Sequence, residues 1–295
     1  MPALYTHYQF GQDVLNKLNK NLQKEIKSNV EYYNMFNQGW DNLYYHYKWS
    51  YYKNFGSNAH KYNIDKFFCS IINYIKINHL ENDSELTNML FGFINHYTLD
   101  TLLHPLINYQ TNNLGITHTK IEFMIDTKFR KNKSGTFFKT LIPKIKFKPE
   151  LLNLLDYVFE CSHKEKNVGK VFKRSHCNGY YLYRYFITDK IGIKTNLYKI
   201  IDFILPFKKF KFHKNTFYIK KFEPKILNIQ KDCWNHPNNR NEIYNYSFND
   251  LYNIALKIST KLNNDAYKVL KNKKDLNKFI NNIKKVSLKN IEEFL

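Results

Sequence analysis

The sequence predicts an all-α fold, and three observations carry that expectation. Apolar residues return at three- and four-residue intervals, as in Val14, Leu15, Leu18, Leu22 and Ile26, and again in Leu251, Ile254, Ala255, Ile258, Leu262 and Ala266. Histidines and carboxylates recur at four-residue steps, His96–Asp100–His104 and His118–Glu122. Such steps bring side chains onto one face only when the backbone is helical. The most strand-like stretch, residues 203–223, alternates Phe and Lys only in part.

Taken in order, the chain opens with His7 on an aromatic background and continues as a helix to about residue 30. Removal of Met1 before Pro2 would leave a free amine five residues from His7. In MFNQGWD, Gly39 marks a turn, and Asp41 opens an aromatic helix from Asn42 to Tyr52, most simply as its cap. Phe55 to His60 reads as a loop and Asn63 to Asn78 as a helix. Residues 80–88 read as a polar connection. The helix through His96, Asp100 and His104 then meets Pro105. A turn-like segment, Asn108 to Gly115, leads to a second short helix bearing His118, Glu122 and Asp126.

Beyond a basic stretch, the run from Pro149 to Lys166 is helical (Leu151, Leu152, Leu154, Leu155, Val158, Phe159). Val168 to Ile191 mixes aromatic and basic residues. It reads either as a core-lining helix or, with Arg174, Tyr181 and Arg184, as a surface for an anionic substrate. Residues 203–223 fit a hairpin around Lys214–Asn215, an interfacial loop, or packing beneath a solvated lysine face. Asp232 to Pro237 reads as a loop. Ser247 caps a final amphipathic helix, with Asp250 at its third position. A Lys/Asn-rich helical tail follows. No repeat or linker divides the chain, so residues 1–295 are expected to form one domain, with a metal-site core in 1–130 and a basic, aromatic remainder in 131–295.

The formal charge of +21 creates a field that favours anionic partners: phospholipid headgroups, nucleic acid or phosphorylated metabolites. Cys69, Cys161, Cys177 and Cys233 are scattered, which excludes a zinc-ribbon or CxxC redox signature. The N-terminus lacks a signal-peptide pattern, and no apolar run approaches the length of a membrane span. A cytoplasmic protein with at most peripheral membrane contact is expected.

His7, Asp41, His60, His96, Asp100, His104, His118 and Glu122 are the candidate metal ligands, with His46 and Asp126 in reserve. Imidazole and carboxylate at helical spacing are what zinc sites in helical proteins use. Around His96 the helix is otherwise apolar (Leu90, Phe91, Phe93, Ile94, Leu99, Leu102, Leu103), and burying so many ionisable groups without a cation would be costly.

THYQFG, NQGWD, FGSNAH, FGFINHYTLDTLLHP and THTKIE, in this order, resemble the bacterial zinc-dependent phospholipase C family. A weaker echo lies in Trp234–Pro237 and the Ser247–Phe248 helix start. The resemblance spans most of residues 1–126 and, more loosely, 230–270. It implies an all-α, multi-helix domain with a zinc cluster in a cleft, similar in site layout to single-strand-specific nucleases. By resemblance, His60, His96 and Asp100 hold one zinc ion, with Asp41 as a further ligand or the catalytic base. His104, His118 and Glu122 hold a second. His7, the N-terminal amine and carbonyl, and a bridging Asp100 would hold a third, so two or three Zn2+ ions are implied.

Two departures stand out. The family's secreted members present an N-terminal tryptophan, where this chain has Met1 or Pro2. The interval from Asp100 to His104 is also one residue shorter than theirs, leaving open whether His104 reaches the metal. The implied activity is phospholipase C-like phosphodiester hydrolysis by a metal-activated water. The alternatives are a zinc-dependent nuclease of similar fold, or a non-catalytic zinc-stabilised interaction protein.

Overall fold

The computed structural model describes residues 4–46, 49–130, 143–183, 193–204 and 222–294. The fold is all-α. Helices α1 (Leu4–Lys17), α2 (Lys20–Ser28) and α3 (Val30–Phe36) lead to a 3-10 helix, Gly39–Tyr45. Next come α4 (Trp49–Ala59), α5 (Ile64–Ile77), α6 (Ser84–Leu114) and α7 (His118–Arg130). The second half contains α8 (Pro149–His163), α9 (Val168–Tyr181), α10 (Ile193–Ile204), α11 (Phe248–Leu270) and α12 (Leu276–Lys285). An antiparallel hairpin, β1 (Trp234–His236) and β2 (Asn239–Tyr244), pairs Trp234 with Tyr244 and Asn235 with Ile243.

The central element is α6. Asp83 starts it by accepting the amides of Glu85 and Leu86, and Gly115 ends it at a φ of 62°. Its residues are buried without interruption from Leu86 to Asp100, so no single apolar stripe marks this part. Helices α3 and α11 pack on it, and α1 and α7 cover it further along. A Cβ on Gly92 would overlap the Phe36 backbone, so glycine is what lets α3 approach this closely.

Behind the histidine face, the Asn95 amide donates to the Tyr33 hydroxyl and to Asn37 Oδ1, and its Oδ1 accepts from Ser259 Oγ and Asn263 Nδ2. This buried network fixes the rotation of α6 between α3 and α11. One apolar cluster runs from Phe10 to Ile291, and a smaller one gathers Leu4, Tyr5, Tyr45, Phe123, Tyr180 and Tyr183 beside the start of α1.

Several sequence-based boundaries move. The two expected helices remain two, but the first, α6, runs through Pro105 and most of the turn expected from Asn108 to Gly115, ending at Leu114, and the second is α7. Proline costs a helix one amide donor, and burial of the flanking Leu102, Leu103, Leu106 and Ile107 offsets that loss. The expected polar connection at 80–88 includes the first turn of α6. The expected helix from Asn42 to Tyr52 is divided between the 3-10 helix and the start of α4, and the expected loop from Phe55 to His60 is helical to the end of α4 at Ala59. The loop expected at Asp232 to Pro237 contains β1, whose Trp234 is buried against Tyr109 and Tyr244. The hairpin or loop expected around Lys214–Asn215 lies outside the described residues, as does the segment bearing Arg184. Among the described residues no helix is long and apolar enough to cross a membrane.

Candidate metal centre

Five segments deliver the eight candidate ligands to one place. His7 comes from α1, Asp41 from the 3-10 helix, and His60 from the residue after α4. His96, Asp100 and His104 come from successive turns of α6, and His118 and Glu122 from the first turns of α7. Backbone features aim several of them. Gly39 adopts a φ of 50°, and a Cβ there would collide with the His96 ring, so glycine lets the chain lie flat against this imidazole. His60 Nδ1 lies 2.7 Å from the Gly56 carbonyl, which accepts its proton. When the ring is neutral, this bond leaves a bare Nε2 facing the cluster. Tyr44 stacks on the His60 ring with an interplanar angle of 2°.

The donors form two adjoining groups. The inner group centres on Asp41 and Asp100. His7 Nε2 lies 3.1 Å from Asp100 Oδ1, and His60 Nε2 lies 3.2 Å from Asp41 Oδ1 and 3.6 Å from Asp100 Oδ2. His96 Nε2 stands 3.5 Å from Asp100 Oδ2 and 3.0 Å from His60 Nε2. In the outer group, Glu122 Oε1 lies 2.9 Å from His118 Nε2 and 3.5 Å from His104 Nε2. His104 also lies 3.4 Å from Asp100 Oδ1, linking the two groups. The shorter Asp100–His104 interval thus leaves His104 facing the cluster. The inner side chains are almost wholly enclosed, whereas His104 and His118 are 34% and 33% exposed. Solvent reaches the cluster from this side.

The electrostatics favour added positive charge. Burial disfavours a proton on His104, but the Asp100 and Glu122 carboxylates outweigh it and raise its pKa to about 9. Burial likewise opposes protonation of His7 and His60, and Asp100 and Asp41 again prevail and raise both. Burial dominates at His96, which falls to about 4 and remains neutral. Glu122 is held down to about 2, against burial, by His104 and His118.

Asp41 Oδ2, Asp100 Oδ2 and Glu122 Oε2 are buried without a hydrogen-bond partner. Orphaned carboxylate oxygens amid converging imidazoles fit a bound cation, because its coordination would satisfy atoms that the protein leaves unpaired. His7, Asp41, His96 and Asp100 bring one donor atom each within 4.8 Å of one another, and so do His104, His118 and Glu122. These two groups could hold metal ions. His60 borders the first closely enough to join it.

The reserve candidates have other roles. His46 is buried against the Tyr52 ring, 4.3 Å between centroids, away from both donor groups. Asp126 accepts the amides of Tyr5 and Thr6, at 2.8 and 2.9 Å, and the Thr6 hydroxyl. It therefore caps the first turn of α1 and sets the height of His7. Burial raises its carboxyl to about 6 against the pull of those hydrogen bonds. Gly39, Tyr44 and the Asn95 network escape a reading by ligand spacing, because their role is contact with a ligand or its helix. The NQGWD turn gave the one local sign, a glycine two residues before Asp41. The third donor set, which requires the N-terminal amine, involves residues outside those described.

No family model, curated protein or solved structure matches the chain.

Proposed function

We propose that the protein is a zinc-dependent phosphodiester hydrolase, phospholipase C-like in its chemistry. One observation carries the reading: two donor groups adjoin through Asp100 and His104, the inner enclosed and the outer open to solvent. His7, Asp41, His60, His96 and Asp100 would hold the inner ion or ions, and His104, His118 and Glu122 the outer one. Zinc bound at such a pair supplies a low-pKa water and Lewis-acid polarisation of phosphoryl oxygens. The motif resemblance between residues 1 and 126 supports zinc as the metal.

The chain's own residues then have separable tasks. Asp41 directs one oxygen at His60 and keeps the other buried without a hydrogen bond, 3.8 Å from His96 Nε2, so it is suited to orient the attacking water and accept its proton. His104 and His118 form the exposed edge at which a phosphate group would enter. Trp40, fully buried, packs its ring 5.2 Å from His60 and 5.6 Å from His96, excluding water from behind them.

A nuclease is the second reading, favoured by the charge of +21, which suits a polyanion. Elemental mass spectrometry together with hydrolysis of a chromogenic phosphodiester tests both readings. Two or more zinc ions per chain are expected, with turnover abolished by chelation and reduced at least about a thousandfold in His96→Ala and Glu122→Ala. Folded, metal-free protein would overturn the ligand assignment. Bound zinc without turnover on lipid or single-stranded DNA would leave a zinc-stabilised interaction protein.

A further inference from the structure

Helix α10 is built inside out. Its buried residues are Thr195 and Asp202, Tyr198 and Ile201 are half-buried, and Ile193, Leu197, Ile200, Phe203 and Ile204 face solvent. Exposure runs from 52% at Leu197 to 86% at Phe203, with Ile193, Ile200 and Ile204 between them. A helix advances about 100° per residue. Ile193, Leu197, Ile200 and Ile204 therefore form one continuous outward stripe, with Phe203 beside it. Thr195 and Asp202 fall on the opposite side. Lys194 lies on one side of the stripe, and Lys199 lies on the other side beyond Phe203.

A soluble surface seldom presents so contiguous a line of branched aliphatic side chains without a partner. We infer that α10 is a docking face for a negatively charged lipid surface, lying in the plane of the headgroups with Ile193, Leu197, Ile200, Phe203 and Ile204 inserted. Three features select lipid over a protein groove. The four aliphatic side chains have no hydrogen-bonding side chain between them, and the exposed Asn196 falls only at their edge, beside Phe203. The exposed Lys199 can reach headgroups while its stem stays beside Phe203. The whole chain carries +21, and the sequence just after α10 adds Lys208, Lys209 and Lys211, so its field suits an anionic bilayer.

The inference concerns where the molecule sits and does not require that it hydrolyse lipid. The test is co-sedimentation of the metal-loaded protein with two kinds of vesicle, one of phosphatidylcholine alone and one mixed with phosphatidylglycerol. Preferential binding to the mixed vesicles is expected, weakening with salt. In the Leu197→Glu, Ile200→Glu double variant, partition should fall about tenfold or more, because two inserted side chains are lost. Both positions are exposed, so circular dichroism should show an unchanged fold.

Three outcomes would each overturn the inference: no sedimentation with either vesicle, equal partition of the double variant, or a concentration-dependent dimer that the same substitutions dissolve without any vesicle binding. Hydrolysis is read separately on a soluble phosphodiester. Protein that binds vesicles but turns nothing over leaves the docking face standing and removes the enzymatic reading; active protein that ignores vesicles does the reverse.

Discussion

Asp126 lies one helical turn beyond Glu122, and by spacing alone it belongs with the ligands. Its partners are instead the first-turn amides of α1, some 120 residues away in sequence. Spacing within a helix was readable, and the candidate ligands on α6 and α7 were singled out that way. A contact between the first and seventh helices was not, because nothing local in DTKFR or LYTHY registers the other. Replacing Asp126 with Ala would leave buried donors at Tyr5 and Thr6 without an acceptor. The expected cost is about 3 kcal/mol by chemical denaturation. Hydrogen exchange should also accelerate at both amides, whereas unchanged protection there would rule out the anchoring role. Gly39 teaches a similar lesson, since its turn was legible but the histidine pressed against it was not.

At the level of elements, α9 offers a titration remote from the metal ligands. His176 is buried on this helix, its Nε2–H donating to the Pro143 carbonyl at 2.9 Å and its ring packed near Phe147. Burial pushes its pKa down to about 4, with the Pro143 bond opposing. A folded pKa below the unfolded value means that the unfolded chain binds the proton more readily. Stability from this group is thus fully present above about pH 6.5 and is lost as pH falls toward 4. Between pH 7 and 5 the loss should be about 2 kcal/mol. The His176→Gln variant, which keeps a donor for Pro143, should show a flatter stability profile over that range. An identical pH slope in the two proteins would show that His176 does not carry the effect.

Element boundaries also show why the sequence misled in places. Pro105 and the polar run Asn108 to Asn113 suggested a turn, because proline and asparagine usually interrupt helices. Burial on both sides of Pro105 overrode that preference. The β1–β2 hairpin was missed because its strands are short and mostly exposed, so neither burial nor alternation announced them.

For the whole molecule, the all-α class was legible because helical periodicity survives wherever one face meets a core. The eight candidate ligands were legible for a different reason: ionisable groups are conspicuous among apolar neighbours. Neither signal reports how segments dock. Metal removal tests that docking directly, since α1, the 3-10 helix, α6 and α7 and the residue after α4 all bring side chains to the cluster. Dialysis against a chelator should lower the thermal midpoint, and added zinc should restore it. For a metal at ~1,000 times its dissociation constant, the stabilisation lost is about 4 kcal/mol. A midpoint indifferent to chelation would show that the side chains hold together without a cation.

The Asn95 network has a consequence for biosynthesis. Every ligand through Glu122 leaves the ribosome well before Ser259 and Asn263, which complete the hydrogen bonds behind α6. At ~5–20 residues per second, that interval is on the order of ten seconds. During it the nascent chain already holds its full set of imidazoles and carboxylates, while the back of α6 lacks its cover and the Asn95 carbonyl must find water. Final assembly of this protein therefore waits on its C-terminal helices, although its chemistry is encoded near the start.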